Sequence, residues 1–404
     1  MMTLLATTAT IALVSSASAL EAQAFLDRFS AVYKSTGHEF TFTGAQLNGD
    51  TVTVTGGSVT MVMPDGSSEE MKFDTPVTFS GVTENADGSY TAKSVTIPDI
   101  DTDFDAETKG HVSVRDIRLD GLYLPAGDNL SPLDSLQLVQ AASIGPIAIS
   151  ADGKQIVSID SIQSTATFNP SQGSAALVDL TSRFTLAGLK LDLSSVKDED
   201  PDAGEMLEAL GITTITGGVN GSLSWTMADG HMVMDQFKFD FANLGALDVN
   251  ADLTGLTPEV MKQLGEMQTA VASSGTTSEE QAQAQMMSSM AIMQGVSIVG
   301  ASVRYDDASL AGKLLEMFAQ QSGTDRATFV GGLKAMLPET INQMGIPALA
   351  DLIVAPASTF LDDPQSLELK VAPSSPTSLL VLMAGAANPA GLLKVLNLTL
   401  AANQ

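Results

Sequence analysis

Residues 51–63 read TVTVTGGSVTMVM, with polar and apolar side chains alternating on both sides of a glycine pair. Strict alternation is typical of a half-buried β-strand, because successive side chains of a strand point to opposite faces. The same period recurs through most of the first 255 residues, between turn sequences such as Asn48-Gly49-Asp50 and Ala86-Asp87-Gly88. Short strands joined by tight turns favour an antiparallel meander, since parallel strands need long crossover connections.

The pattern changes near Gly255. Thr257-Pro258-Glu259 is typical of a helix start, with threonine as the N-cap and proline at the first helical position. Further helices are predicted at 278–293, from Asp307 to about Gln321, at 327–336, at 339–344 and across 347–352, with strands at 296–305, 366–371 and 395–401. The sequence therefore predicts a β-rich α+β fold. A long antiparallel meander sheet over residues 20–255 precedes a helix-rich α+β region, residues 256–404, packed on the sheet.

The first 19 residues resemble an export signal. They contain no Asp, Glu, Lys or Arg, and a short apolar run ends in the small residues Ala17-Ser18-Ala19. A small-x-small pattern is typical of a signal peptidase site, and the apolar run is shorter than the roughly 20 residues of a membrane span. We therefore expect residues 1–19 to be a cleaved signal peptide, with Ala17 and Ala19 at the cleavage site. The processed protein is expected to be periplasmic and not integral to the membrane.

Composition narrows the possible partners and chemistry. The net charge of −28 opposes binding to nucleic acid and to anionic lipid headgroups, because both kinds of binding need Lys or Arg to neutralise phosphate. Absence of cysteine excludes disulfides, thiol catalysis and a lipoprotein anchor. The three histidines are isolated, and the sequence contains no HExxH, GxSxG or GxxxxGK[ST] motif. We expect no nucleic-acid partner and no cofactor.

Four aspartates form the clearest acidic pattern. Asp99, Asp101, Asp103 and Asp105 alternate with other residues, so a strand would carry all four carboxylates on one face. Such a face could be a calcium platform, since calcium takes several carboxylate oxygens. The alternative is the solvent face of an edge strand, where charge prevents edge-to-edge pairing. A flat strand rarely brings its ligands together on one ion, which favours the second interpretation.

Three methionines form the clearest apolar pattern. Met286, Met290 and Met293 have the spacing i, i+4 and i+7, which is one stripe of a helix. Methionine side chains are flexible and fill irregular spaces. The stripe therefore predicts either ordinary packing or an adaptable surface for an apolar ligand.

The segment Leu247–Leu253, LDVNADL, is a strand that leads into a predicted helix, and residues 295–318 show the same order. In this patterning, residues 240–320 resemble the YdgA-like and AsmA-like bacterial envelope proteins. The resemblance implies a β-rich envelope protein that handles lipid or another apolar molecule, and it identifies no catalytic residue.

These observations support three hypotheses of function. The first is a soluble, non-catalytic periplasmic protein associated with the envelope, which binds a lipid, another apolar molecule or an envelope protein. The second is a hydrolase that uses carboxylates such as Asp99 or Asp101, because such a pair meets only in space and leaves no local motif. The third is a purely structural envelope scaffold.

Overall fold

A computed structural model describes residues 20–34, 37–62, 68–105, 109–127, 137–170, 178–264, 279–343, 346–385 and 388–404. The predicted signal peptide, with Ala17 and Ala19, lies outside these ranges. The chain divides into two compact units, Met1–Lys93 with Tyr123–Asn129, and Ser94–Leu122 with Leu130–Gln404. The change from a β-rich to a helix-rich region, which the sequence predicts near Gly255, lies inside the second unit.

The first unit contains one helix and most of the short strands. Their bounds are α1 (Ala22–Lys34), β1 (His38–Thr43), β2 (Gln46–Asn48), β3 (Thr51–Val54), β4 (Gly56–Val62), β5 (Ser68–Phe73), β6 (Val77–Ser80), β7 (Thr83–Glu84) and the start of β8 (Tyr90–Ile97). Strand β4 pairs with β1 and β5, whereas β3 pairs with β2 and β6. The glycine pair Gly56-Gly57 is therefore the point where the chain passes from one sheet to another.

Aromatic residues of α1 form the core of this unit. Phe25 and Phe29 are buried, and the Phe29 ring lies 5.2 Å from Phe40 and 5.5 Å from Phe79, centroid to centroid. Both contacts are edge-to-face, the geometry that aromatic quadrupoles prefer. Gly57 lacks a side chain at a crowded point, because a Cβ there would lie 2.1 Å from the carbonyl oxygen of Thr41.

The second unit is built on long antiparallel strands. Their bounds are β9 (Ile100–Asp105), β10 (Lys109–Val114), β11 (Ile117–Leu124), β12 (Val139–Ile144), β13 (Ile147–Ala151), β14 (Lys154–Ile159), β15 (Ser161–Pro170), β16 (Val178–Asp192), β17 (Thr214–Thr226), β18 (His231–Phe241), β19 (Gly245–Thr254), β20 (Ser297–Asp307), β21 (Ser366–Val371), β22 (Thr377–Ser378) and β23 (Thr399–Ala402). From β15 to β21 each strand pairs with the next one along the chain, and β23 pairs with β21. This is the predicted meander.

Helices occupy the connections between these strands. They are α2 (Val196–Glu199), α3 (Pro201–Leu210), α4 (Glu279–Gly295), α5 (Leu310–Gln321), α6 (Arg326–Gln343), α7 (Pro347–Asp362), α8 (Leu379–Gly385) and α9 (Pro389–Val395), and residues 258–264 are also helical. A large antiparallel sheet followed by helices confirms the predicted β-rich α+β fold.

The C-terminal helices differ from the prediction in their bounds, and α7 runs to Asp362, ten residues beyond its predicted end. The two helices expected at 327–336 and 339–344 form one continuous helix, α6, which passes through Pro338. Proline removes one intrahelical hydrogen bond, which is why the sequence pattern indicated a break. Helix α3 begins at Pro201, where the Asp200 side chain caps the helix by accepting a hydrogen bond from the Ala203 backbone N–H over 3.1 Å.

Three buried clusters join the helices to the sheet. They centre on Trp225 with Met227, on Leu210 with Met317, and on Leu256 with Ile292. Along the parts of the chain described, none of the helices is both long and apolar enough to cross a bilayer.

Candidate functional site

The aspartate strand is β9, and its hairpin partner β10 supplies the groups that face it. Asp103 is opposite His111 in the register, and its Oδ1 lies 2.9 Å from His111 Nδ1. The other ring nitrogen, Nε2, lies 3.3 Å from Asp101 Oδ1. Arg115 Nη2 is 4.0 Å from Asp101 Oδ2, and Asp99 Oδ1 accepts a hydrogen bond of 3.1 Å from the Asp116 backbone N–H.

The structure thus places Asp99, Asp101 and Asp103 together on one face, as predicted, and gives each a protein partner. The side chain of Asp105 lies outside the described part of the chain. Within the described residues, no three His, Asp or Glu side chains are grouped as metal ligands would be. The calcium platform stays a prediction, and the observed contacts are those of a charged strand face.

A shallow cleft of about 440 Å³ lies beside this hairpin. Phe104 lies across Gly110 on the neighbouring strand, so closely that a Cβ at Gly110 would be 2.0 Å from the ring. His111 and Asp103 also line the cleft. One imidazole beside one carboxylate can exchange a proton with a ligand, but none of the described contacts gives this pair a hydroxyl nucleophile to activate.

An exposed apolar face lies on three neighbouring strands of the sheet, β19, β20 and β21, and β23 pairs with the other side of β21. Val303 is opposite Val249 on one side and Leu369 on the other. Val303 is 44% exposed, Leu369 is 41% exposed, and Leu247, two residues from Val249, is 37% exposed. We call Leu247, Val249, Val303 and Leu369 the open apolar face.

Among the described residues, helices cover this side of the sheet toward its two ends. Toward one end the Phe360 ring of α7 lies 6.2 Å from the ring of Tyr305, which is opposite Leu247. Toward the other end, α4 packs its buried Ile292 in a cluster with Met232 and Leu253. Tyr305 and Ile298, which pairs with Leu253, are seven residues apart on β20, so the ends are separated by roughly 23 Å at the usual strand rise.

The opposite side of the same strands is charged. Arg304 is opposite Asp248 on one neighbouring strand and Glu368 on the other. Each of the three is adjacent in sequence to a residue of the open apolar face, Val249, Val303 or Leu369. The Arg304 Nη2 atom donates to Asp306 Oδ1 over 2.7 Å, and this hydrogen bond raises the pKa of the guanidinium. The two sides of the sheet therefore differ sharply in polarity.

The edge of the open apolar face is fixed by Tyr305. Its hydroxyl donates to Asp307 Oδ1 over 2.7 Å, and the same oxygen accepts the backbone N–H of Ala311 over 2.8 Å at the start of α5. Burial, followed by this hydrogen bond, raises the pKa of Tyr305. The phenol is therefore neutral at physiological pH and serves to position the ring.

The predicted methionine stripe lies on α4. Met286 and Met290 are exposed, whereas Met293 is half-buried beside the buried Ile292. Sequence reasoning missed Met287, which is also exposed, because the residue lies outside the i, i+4, i+7 series. It also missed the helical neighbour α8, whose Leu379 packs against Ile292.

A comparison with protein-family models gives a match in the C-terminal part of the chain. A family model described as "Uncharacterized protein" matches residues 238–403. No curated protein matches the chain. The matched range contains strands β19 to β23 and helices α4 to α9, so the open apolar face and the methionines of α4 lie within it.

Proposed function

We propose that this protein binds the acyl chain of a lipid, or another apolar molecule of similar shape, on the open apolar face. It acts without catalysis, after export to the periplasm. The observation that carries the proposal is the pairing of Val303 with Leu369 on neighbouring strands of the sheet, each more than two-fifths exposed.

Exposed apolar area at this position is costly in free energy. The apolar face of a sheet is normally buried against another layer, and removing apolar surface from water contributes about 25 cal/mol per Å². Contiguous exposed apolar surface on a soluble protein commonly marks a binding site. An acyl chain fits the open apolar face, because the acyl chain is narrow, apolar and extended and needs no polar partner from the strands.

The polar groups support binding rather than catalysis. Asp99 and Asp101, the carboxylates considered for a hydrolase, are held by the Asp116 backbone, His111 and Arg115. The charges nearest the open apolar face, Asp248 and Arg304, project from the other side of the sheet. A ligand on the open apolar face is therefore separated from them by the sheet.

A fluorescent fatty-acid probe tests the proposal, with two variants that differ by one position on β21. Leu369→Asn places a polar group on the open apolar face, and Lys370→Asn changes the exposed neighbour on the opposite side. Removing one buried leucine contact costs about 1.5–3 kcal/mol. We therefore expect Leu369→Asn to raise the probe Kd by about tenfold or more and Lys370→Asn to leave it near the wild-type value.

Two outcomes would contradict this function. The first is a wild-type protein, stripped of co-purifying lipid by organic extraction and refolded, that does not bind the probe. The second is an equal loss of binding in both variants. Export is tested separately by N-terminal sequencing of protein from the periplasmic fraction, which we expect to begin at Leu20.

A further inference from the structure

Helices α4, after its first two residues, and α8 are free of charged residues on a strongly acidic protein. Residues 281–303 and 371–393 contain no Asp, Glu, Lys, Arg or His, although 16% of the whole chain is charged. The first segment contains α4 except Glu279 and Glu280, and the second contains α8. Leu379 of α8 packs against the cluster formed by Ile292 of α4 and Val296, which follows the helix. Two separate stretches of sequence without charge therefore meet in one place.

Large apolar side chains project from this helix pair into solvent. We define the methionine surface as the five residues of α4 and α8 that are between 47% and 66% exposed: Met286, Met287, Met290, Val381 and Met383. On α4, Met287 and Met290 lie on the side of the helix opposite Ile292, given 100° of rotation per residue. Packing against the described residues of the unit therefore does not account for them.

The methionine surface adjoins the side of the sheet that carries the open apolar face. Ile292 packs with Met232 and Leu253, which are opposite each other on β18 and β19. The next apolar residue on β19 is Ala251, paired with Ala301, and beyond it is Val249, paired with Val303. An apolar path of side chains thus leads from beneath α4 to the open apolar face.

We propose that the methionine surface docks on the headgroup layer of a zwitterionic lipid bilayer, from which the open apolar face takes its ligand. The inference rests on the proposed function. Three observations favour this occupant over a protein partner. Protein interfaces carry a polar or charged rim that fixes their register, and these two segments contribute no charge to one.

The second observation is the net charge of −28, which repels an anionic membrane and leaves a zwitterionic one accessible. The third is the side-chain type, since flexible thioethers adapt to a surface that has no fixed shape. An amphipathic helix with its apolar face in the headgroup region is an established mode of membrane attachment. Here that face is supplied by two packed helices.

Flotation with phosphatidylcholine vesicles tests the docking of the full mature chain. The variant Met286→Glu/Met287→Glu/Met290→Glu adds three charges at exposed positions, and glutamate is a good helix former, so α4 is retained. The control is Met336→Glu, which adds a charge at a methionine of α6 that is 64% exposed. We expect the bound fraction of the triple variant to fall by about tenfold or more, and that of the control to remain near wild type.

Three results would overturn the docking. The wild-type chain does not float with vesicles, the triple variant floats as the wild type does, or the bound fraction of the control falls as much as that of the triple variant. Light scattering identifies a second copy as the occupant if the wild type is a dimer and the triple variant a monomer. The fatty-acid probe in vesicle-free solution separates the two proposals. Probe binding without flotation removes only the docking, whereas flotation without probe binding removes only the proposed function.

Discussion

Val303 and Leu369 are direct cross-strand neighbours on β20 and β21 of the second unit's sheet, and both face solvent. Their opposite-side counterparts, Arg304 and Glu368, are only half-exposed and lie 3.8 Å apart, from Nη1 to Oε2. The apolar pair is thus more exposed than the charged pair beside it. Apolar side chains are usually less exposed than charged ones, and the reversal of that order is the physical basis of the proposed function.

The exposure of this pair predicts that it contributes little to folding. We expect Val303→Thr/Leu369→Thr to change the free energy of unfolding by no more than about 1 kcal/mol, because both positions are exposed and threonine suits a strand. Met227→Ala, at a side chain that is 0% exposed, should cost about 2–5 kcal/mol. Urea denaturation followed by circular dichroism measures both. A large loss in the threonine variant would show that the face is covered in solution.

The single tryptophan gives a second prediction. Trp225 is buried, and its indole N–H donates to the backbone carbonyl of Leu256 over 2.9 Å. Trp225→Phe keeps an aromatic ring but leaves that carbonyl without its donor, which costs about 1–3 kcal/mol. Chemical denaturation measured by circular dichroism checks the value. An unchanged midpoint would mean that water reaches the Leu256 carbonyl.

Sequence periodicity predicted most of the fold. The meander followed from alternation and turns, and the helix start at Thr257-Pro258 followed from capping. The start of α9 at Asn388-Pro389 shows the same cap sequence. Val260 N–H lies 3.4 Å from Thr257 Oγ1, and Gly391 N–H lies 3.2 Å from Asn388 Oδ1. Such signals are local, because a cap involves residues three apart in the chain.

The open apolar face could not be predicted in the same way. Alternation shows that Val303 and Leu369 belong to one side of a sheet, but not whether a helix covers that side. The answer depends on where α4 and α7 pack, which is set by contacts such as Phe360 with Tyr305, 55 residues apart in the chain. The methionine surface was partly predictable, since the lack of charge in its two segments is visible in the sequence.

The aspartate strand gives a prediction about calcium. Side chains two residues apart on a strand are about 6.8 Å apart, whereas the oxygens around one calcium ion lie 2.3–2.6 Å from it. Asp101 and Asp103 also have His111 between them. We therefore expect millimolar calcium to leave the thermal midpoint of the wild-type protein unchanged. A rise in the midpoint that Asp101→Asn abolishes would establish a calcium site on β9.

A final prediction concerns acid. Asp192 Oδ1 accepts hydrogen bonds from the Ser194 backbone N–H over 2.9 Å and from Lys154 Nζ over 3.3 Å. Hydrogen bonds from Ser194, and then Lys154, lower the pKa of Asp192 from 3.8 to about 2. Since the folded pKa is below the unfolded one, the stabilisation is complete above about pH 5 and is lost progressively as the pH falls through 2.

Asp192→Asn should therefore lower the melting temperature by a few degrees at pH 6 and by progressively less as the pH falls from 4 to 2. Lys154→Met should show part of the same pH dependence. The double variant should lower the melting temperature by less than the sum of the two single variants, because the two side chains share one interaction. Differential scanning calorimetry across this pH range provides the measurement. If the decrease in melting temperature caused by Asp192→Asn stayed constant down to pH 2, the carboxylate would act through packing rather than through its charge.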